Sequence, residues 1–239
     1  MSDTAVAALR GYVAQGGKLV LSGAAAFDRF GADFLGARRV ALKESAVLHL
    51  PSGKQAVAAF SASWALVRPT SARGLAPLGE TPSRDERLLP FPWAVVNRVG
   101  KGTVAWIPLD LFRDYSRNRY PMVRELVREA VRALRPRFEI EAAAPAAVDV
   151  ILRRKGPRRI VHLVNRASGL PTLPNTGAVD EIPPVGPVTI TVRGAVKRGA
   201  VKRAFEKSDM IVKTTGKGAA AVTRITVPSL RIHAAVVIG

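Results

Sequence analysis

The sequence predicts an α/β domain followed by an all-β antiparallel sandwich domain. Three observations predict it. At the start, a helical apolar stripe runs through a Gly-Gly stop straight into a short apolar strand; a second helical stripe spans residues 120–134; and beyond about residue 146 the helical period gives way to short strand-like runs between turn residues. The expected boundaries are 1–140 for the α/β domain and 146–239 for the sandwich, with the Ala/Pro-rich run Glu141–Ala147 as the linker.

In the first domain, Ala5, Val6, Leu9 and Val13 recur at helical spacing, Asp3 or Thr4 can cap the start, and Gly16-Gly17 stops the helix. Lys18–Ser22 follows as the apolar run of a buried parallel strand ending at Gly23. This is half of a βαβ unit, and the strand that would precede its helix is not in the sequence, so the α/β domain reads as N-terminally truncated. Residues 38–69 alternate in strand fashion around a Pro51-Ser52-Gly53 turn, and residues 70–90, rich in Pro, Gly, Ser and charge, read as a surface loop. Trp93–Asn97 and Thr103–Ile107 flank Gly100-Lys101-Gly102, a hairpin whose glycines take positive φ. Asp110–Tyr120 connects to a helix from Tyr120 to Leu134, with Val123, Leu126, Val127, Ala130, Val131 and Leu134 as its buried stripe.

In the second domain the expected strands are Val148–Leu152, Arg159–Val164, Val188–Val192, Met210–Val212, Val222–Val227 and Ile232–Ile238. They are separated by Gly156-Pro157, a Pro-rich loop from Gly169 to Pro187, and Gly216-Lys217-Gly218. Six or seven strands without a helix argue a sandwich. The direct repeat of Gly194–Arg198 as Gly199–Arg203 is too short for a solenoid and reads as a strand edge or loop.

Composition bounds the function. The chain of 239 residues carries 37 basic and 18 acidic side chains, a net charge of +19, with 48% hydrophobic residues. It has no cysteine, which excludes disulfides, thiol nucleophiles and cysteine-held metals. There is no apolar run of membrane-spanning length and no signal-peptide pattern, so a cytoplasmic protein without a membrane partner is expected. Residues 141–239 hold sixteen basic and six acidic groups, clustered at Arg153, Arg154, Lys155, Arg158 and Arg159 and at Lys197, Arg198, Lys202 and Arg203. That stretch holds one aromatic, Phe205, so the stacking platforms of a nucleic-acid binder are missing and a solvated basic surface is favoured over nucleic acid as a partner.

No catalytic, cofactor-binding or metal-binding residue is assigned. A phosphate loop needs a glycine five positions before its Gly-Lys and a hydroxyl after it; Gly100-Lys101-Gly102-Thr103 and Gly216-Lys217-Gly218 lack one or both and precede strands, so both read as hairpin turns. His49, His162 and His233 lack short-spaced zinc patterns and read as core or edge histidines. Asp110 and Asp114 near a strand end suit a sugar or a metal, but helix capping explains them as well. Ser22-Gly23 lacks the preceding glycine of a nucleophile elbow. Trp64, Trp93 and Trp106 fall on expected strands and read as core rather than as sugar platforms.

Five segments carry a family resemblance. Leu9–Val20 resembles the helix–Gly-Gly–strand of class I glutamine-amidotransferase-like domains, in the version fused behind the catalytic barrel of bacterial β-galactosidases and related α-fucosidase-like glycoside hydrolases, the trimerisation domain. Val96–Pro108 resembles that family's Gly-Lys-Gly, strand, Ile-Pro segment. Val161–Arg166 resembles the His-Leu-Val-Asn strand of the β-domain that follows, and Glu181–Val185 and Val227–His233 fit the same domain. The resemblance implies a partial flavodoxin-like α/β domain, subunit contacts made by it, and a homo-oligomer. It also implies a parent hydrolase whose catalytic carboxylates sit in a (β/α)₈ barrel that this sequence does not contain. The Cys–His–Glu triad of true amidotransferases cannot be built without cysteine. The expected function is non-catalytic, an assembly and scaffolding portion of a glycoside hydrolase without a cofactor; the alternative is a basic module that binds nucleic acid or acidic polysaccharide.

Overall fold

Ser2, rather than Asp3 or Thr4, begins the first helix: its hydroxyl accepts the amide of Ala5 and so satisfies one of the orphan donors of the opening turn. Helix α1 (Asp3–Ala14) then runs to the Gly16-Gly17 stop and into β1 (Lys18–Ser22). The structure, a computed structural model, describes residues 1–52, 55–82, 86–118, 120–167, 181–205 and 209–239. It divides into two units, Met1–Pro136 and Arg137–Gly239.

After β1 the first unit continues through α2 (Ala26–Leu35), β2 (Ala37–Ser52), β3 (Gln55–Pro69), β4 (Arg73–Gly74), β5 (Pro77–Gly79), β6 (Leu88–Pro92), β7 (Val95–Val99) and β8 (Gly102–Ile107). It closes with α3 (Leu111–Asn118) and α4 (Pro121–Ala133). One sheet has the order β1-β8-β7-β4, the other β3-β2-β5-β6. The parallel sheet expected of this part reduces, among the described strands, to one parallel pair, β1 with β8, from Lys18↔Thr103 to Ser22↔Ile107; β8–β7 and β7–β4 are antiparallel. β8 is buried on both faces, which explains its unbroken apolar run. Val104 and Trp106 pack with Val6, Val13, Phe30 and Phe34 of α1 and α2, and Ile107 with Trp64, Leu66, Val123 and Leu126 of β3 and α4.

Other differences have local causes. Residues 38–69 form one long hairpin of β2 and β3 with Pro51 inside a strand, and the expected glycine of its turn, Gly53, lies outside the described residues. The expected loop 70–90 contains β4, β5 and the start of β6, and its Leu78 is fully buried. Trp93 precedes β7 rather than belonging to it, and the expected connection from Asp110 holds α3. The hairpin at Gly100 is as expected, with Gly100 at φ 58, but Gly102 is required for another reason. A Cβ there would strike the carbonyl oxygens of Val13 and Gly17, because the turn is stitched to the end of α1 by Lys101 N→Ala14 O (3.0 Å) and Thr103 N→Gly17 O (3.1 Å).

The second unit holds β9 (Ile140–Ala143), β10 (Val148–Lys155), β11 (Arg158–Asn165), β12 (Val188–Arg193), β13 (Val201–Phe205), β14 (Ile211–Thr215), β15 (Val222–Val227) and β16 (His233–Ile238), with single 3-10 turns at Arg198–Ala200 and Gly218–Ala220. Two antiparallel sheets, β10-β11-β16-β13 and β14-β15-β12-β9, share one apolar core. Val161, Leu163, Val236 and Ile238 come from the first sheet, and Ile190, Val192, Ile225 and Val227 from the second, at every other position of their strands. The expected linker is corrected: Ile140–Ala143 is a strand paired with β12, since alanine does not prevent pairing at a sheet edge, and the division between units falls earlier, after Pro136. The second copy of the repeat ends in edge strand β13, and the first is a loop held by buried Thr223, whose hydroxyl donates to Gly194 O (2.9 Å) and accepts Val196 N (2.9 Å). Of the Pro-rich loop, residues 169–180 lie outside the described residues; Val185 bridges to Leu230.

Candidate functional site

In sheets with parallel strands, ligands collect beyond the carboxyl ends of those strands. Here β1 and β8 end side by side at Ser22-Gly23 and Ile107–Asp110. Gly23 N donates to both Ile107 O (3.0 Å) and Leu109 O (2.9 Å), and Trp106 Nε1 donates to Gly23 O (3.0 Å). The Ser22 hydroxyl is committed to Leu109 O (2.7 Å), so it is a backbone tie with no general base beside it among its hydrogen-bond partners. Asp110 faces Gly23, where a Cβ would lie 2.7 Å from Oδ1, and its amide is held by the Ser61 hydroxyl (3.2 Å). Asp114 lies one turn along α3, its amide bonded to Asp110 O (2.9 Å). This is the architecture of a strand end locked to a helix start, built around serine hydroxyls that serve the backbone.

The three tryptophans are fully buried. Trp64 Nε1 donates to Ala46 O (2.9 Å), as a core indole does. Gly100-Lys101-Gly102 turns between β7 and β8, and Gly216 (φ 78) follows β14, so both glycine–lysine pairs occupy turns.

The basic run Arg153–Arg159 is the tip of the β10–β11 hairpin, where Gly156 takes φ 57. Strand alternation sorts its cations by face. Arg154 and Arg159, register partners, both bind Glu139, at 2.6 and 2.9 Å. The hydrogen bond from Arg154, together with the charges of both guanidiniums, holds the Glu139 carboxyl below the usual carboxylate range. Arg153, Lys155 and Arg158 are exposed and have no ion-pair partner among the described residues.

Two of the three histidines, 71 positions apart, meet. His162 on β11 and His233 on β16 lie on the outer face of their sheet, with His162 Nδ1 3.1 Å from His233 Nε2 and the ring centres 5.3 Å apart. The Phe205 ring, 72% exposed as a residue, lies 4.4 Å from that of His233. Sequence spacing could not reveal this contact, because it is made by the β11–β16 register, which pairs His162 with Ala235 and Val164 with His233. His49 lies on β2, in the other unit. Among the described residues no three potential ligands of the histidine, aspartate and glutamate type gather in one place.

Fold and residues together define a mostly β chain of two separately cored units, the first with helices against a mixed sheet, the second a sandwich. No protein-family model matches the chain, and no curated protein matches it in sequence. Solved structures do match. Alpha-L-fucosidase isoenzyme 2 from Paenibacillus thiaminolyticus is similar over 100% of this chain and 39% of its own, with a TM-score of 0.70 at 20% identity. The beta-galactosidase from Bacillus circulans sp. alkalophilus is similar over 98% of this chain and 31% of its own (TM-score 0.51, 14% identity). A GH42 beta-galactosidase from G. stearothermophilus gives 100% and 30%, with the same TM-score and identity. At these identities the likeness is one of fold. These three neighbours are glycoside hydrolases, and this chain spans between three and four tenths of their length. Among the described residues, no helix is long and apolar enough to cross a membrane.

Proposed function

We propose that this chain is the non-catalytic assembly and scaffolding portion of a β-galactosidase-like or fucosidase-like glycoside hydrolase. The observation that carries the reading is the fucosidase likeness, which runs through both units yet accounts for only 39% of the fucosidase chain. In this reading Met1–Pro136 is an amidotransferase-like domain of the trimerisation type, which makes the subunit contacts, and the sandwich follows it. The acid and nucleophile of glycoside hydrolysis belong to a partner barrel. The serine and aspartates at the ends of β1 and β8 fit this reading, since the serine hydroxyls there bond backbone groups. Purified chain assayed on 4-nitrophenyl β-galactoside and α-fucoside is expected to stay at background. Turnover that a single Asp or Glu substitution abolishes would overturn the proposal.

A second reading, a basic module for polyanions, is favoured by one observation: Arg153, Lys155 and Arg158 at the hairpin tip have no ion-pair partner among the described residues. Retention on heparin that collapses at modest salt and equals retention on unrelated DNA marks the charge as unspecific. Retention that survives 0.5 M salt and is lost in an R153E/R158E variant would instead establish the second reading.

A further inference from the structure

We propose that His162 and His233 form a two-imidazole site for a late first-row divalent ion, of the copper, nickel or zinc kind, on the outer face of the sandwich. The facing nitrogens are 3.1 Å apart. An ion bound to two imidazoles at ~2.0–2.1 Å, with angles from octahedral to tetrahedral, spaces its nitrogens about 2.9–3.4 Å. The two ligands therefore already stand at the separation that one ion imposes. Their strands keep them there: β11 and β16 are both inside their sheet, flanked by β10 and β13, so the backbones that carry the rings are fixed.

In the resting pair the rings meet edge to edge. Of the 5.3 Å between ring centres, 3.1 Å lies between the two nitrogens, and the ring planes differ by only 14°. Such a contact is an N–H···N hydrogen bond, in which one facing nitrogen carries the proton and the other accepts it. Binding replaces that proton by the ion. The donor ring loses the hydrogen from its facing nitrogen and regains one on its distal nitrogen, a change of tautomer that releases no net proton. Each ring tilts so that the two lone pairs converge on a point above the sheet. Both histidines are half-buried rather than sealed in the core, and water would complete the coordination sphere.

The ligand type selects against hard ions. The nearest outer-face neighbours by register are Ile151, Val164 and Ala235, with the Phe205 ring beside His233. Among the described residues, the outward carboxylate Asp149 is engaged by Arg166 at 3.2 Å. Magnesium and calcium prefer oxygen ligands, whereas imidazole nitrogen suits copper, nickel and zinc. With two protein ligands the site is exchangeable.

The test uses the whole chain and Cu(II) as the probe. Electron-spin-echo spectra of protein with half an equivalent of Cu(II) are expected to show two coordinated imidazoles. His162→Gln and His233→Gln should each leave one and weaken binding by roughly 10²-fold, the gain of an intramolecular second contact. His49→Gln should change neither. A single imidazole in the wild type, or affinity unchanged in both sandwich variants, overturns the proposal and moves copper to His49 or the N-terminal amine. Should either variant unfold, ring resonances of the wild type decide. Cu(II) at a tenth of an equivalent must broaden His162 and His233 together, and equal broadening of all three histidines refutes the site.

Discussion

Asn97 is one of four buried polar residues among those described, and its side chain accounts for how a strand and a helix end together. Its Nδ2 donates to Asp33 O (3.2 Å) and Phe34 O (2.9 Å), carbonyls that the last turn of α2 leaves without intrahelical partners. Asn165 does the same in the sandwich, donating to Pro183 O, Leu230 O and Arg231 O. Both are buried amides that tie a strand to the backbone of a neighbouring helix end or loop, so their place in the sequence resemblance has a structural cause. Glu139 acts at the same scale by charge. Its carboxyl is depressed by Arg154 and Arg159, so the stabilisation it gives is fully present at neutral pH and is lost as the pH falls through its lowered folded value. Glu139→Gln should therefore lower the urea midpoint at pH 7, and the difference from the wild type should vanish in strong acid. A difference that persists there would assign the effect to packing.

At the scale of elements, two glycines give opposite expectations. Gly11 lies inside α1 with nothing within 4 Å of a Cβ, so Gly11→Ala should stabilise by about 0.5–1 kcal/mol. Gly102→Ala drives a methyl into backbone carbonyls that cannot yield, and should cost more than about 2 kcal/mol or prevent folding. Paired chemical denaturation curves check both. Elements with a strong period were legible from the residues: α1, α4, and the sandwich strands other than β9 and β13 lie where their apolar spacing placed them. What was not legible depended on partners. β5 contains Pro77 and Gly79 and looks like loop, yet Leu78 between them fills the core under β2. β9 is alanine-rich and weakly patterned, and only pairing with β12 makes it a strand. The histidine pair stayed hidden because a register, unlike a motif, cannot be read from spacing.

For the whole molecule the separate cores set the expectation. Every buried residue of the sandwich core comes from Arg137–Gly239, and those of the other two clusters from Met1–Pro136. Fragments 1–136 and 137–239 should each melt cooperatively by circular dichroism, and trypsin should separate them near Arg137 before it enters β11. Early cleavage within Arg159–Val164 would contradict the strand. Association is expected of the first fragment, where β1 ends the order β1-β8-β7-β4 and Val40, Leu42, Val47 and Phe60 of the long hairpin are exposed. Light scattering that finds 1–136 strictly monomeric at high salt would remove the subunit-contact role.

The pairing of β1 with β8 has a consequence for synthesis. Lys18 finds its partner at Thr103, so the strand emerges from the ribosome long before the chain that will hold its backbone. At about 5–20 residues per second, that interval is roughly 4–17 s. The β2–β3 hairpin and α2, which need only near neighbours, can form within it. A nascent chain stalled before residue 102 therefore carries an apolar strand without its β8 partner, and such stalled chains should recruit a holdase chaperone that chains released past residue 110 no longer bind.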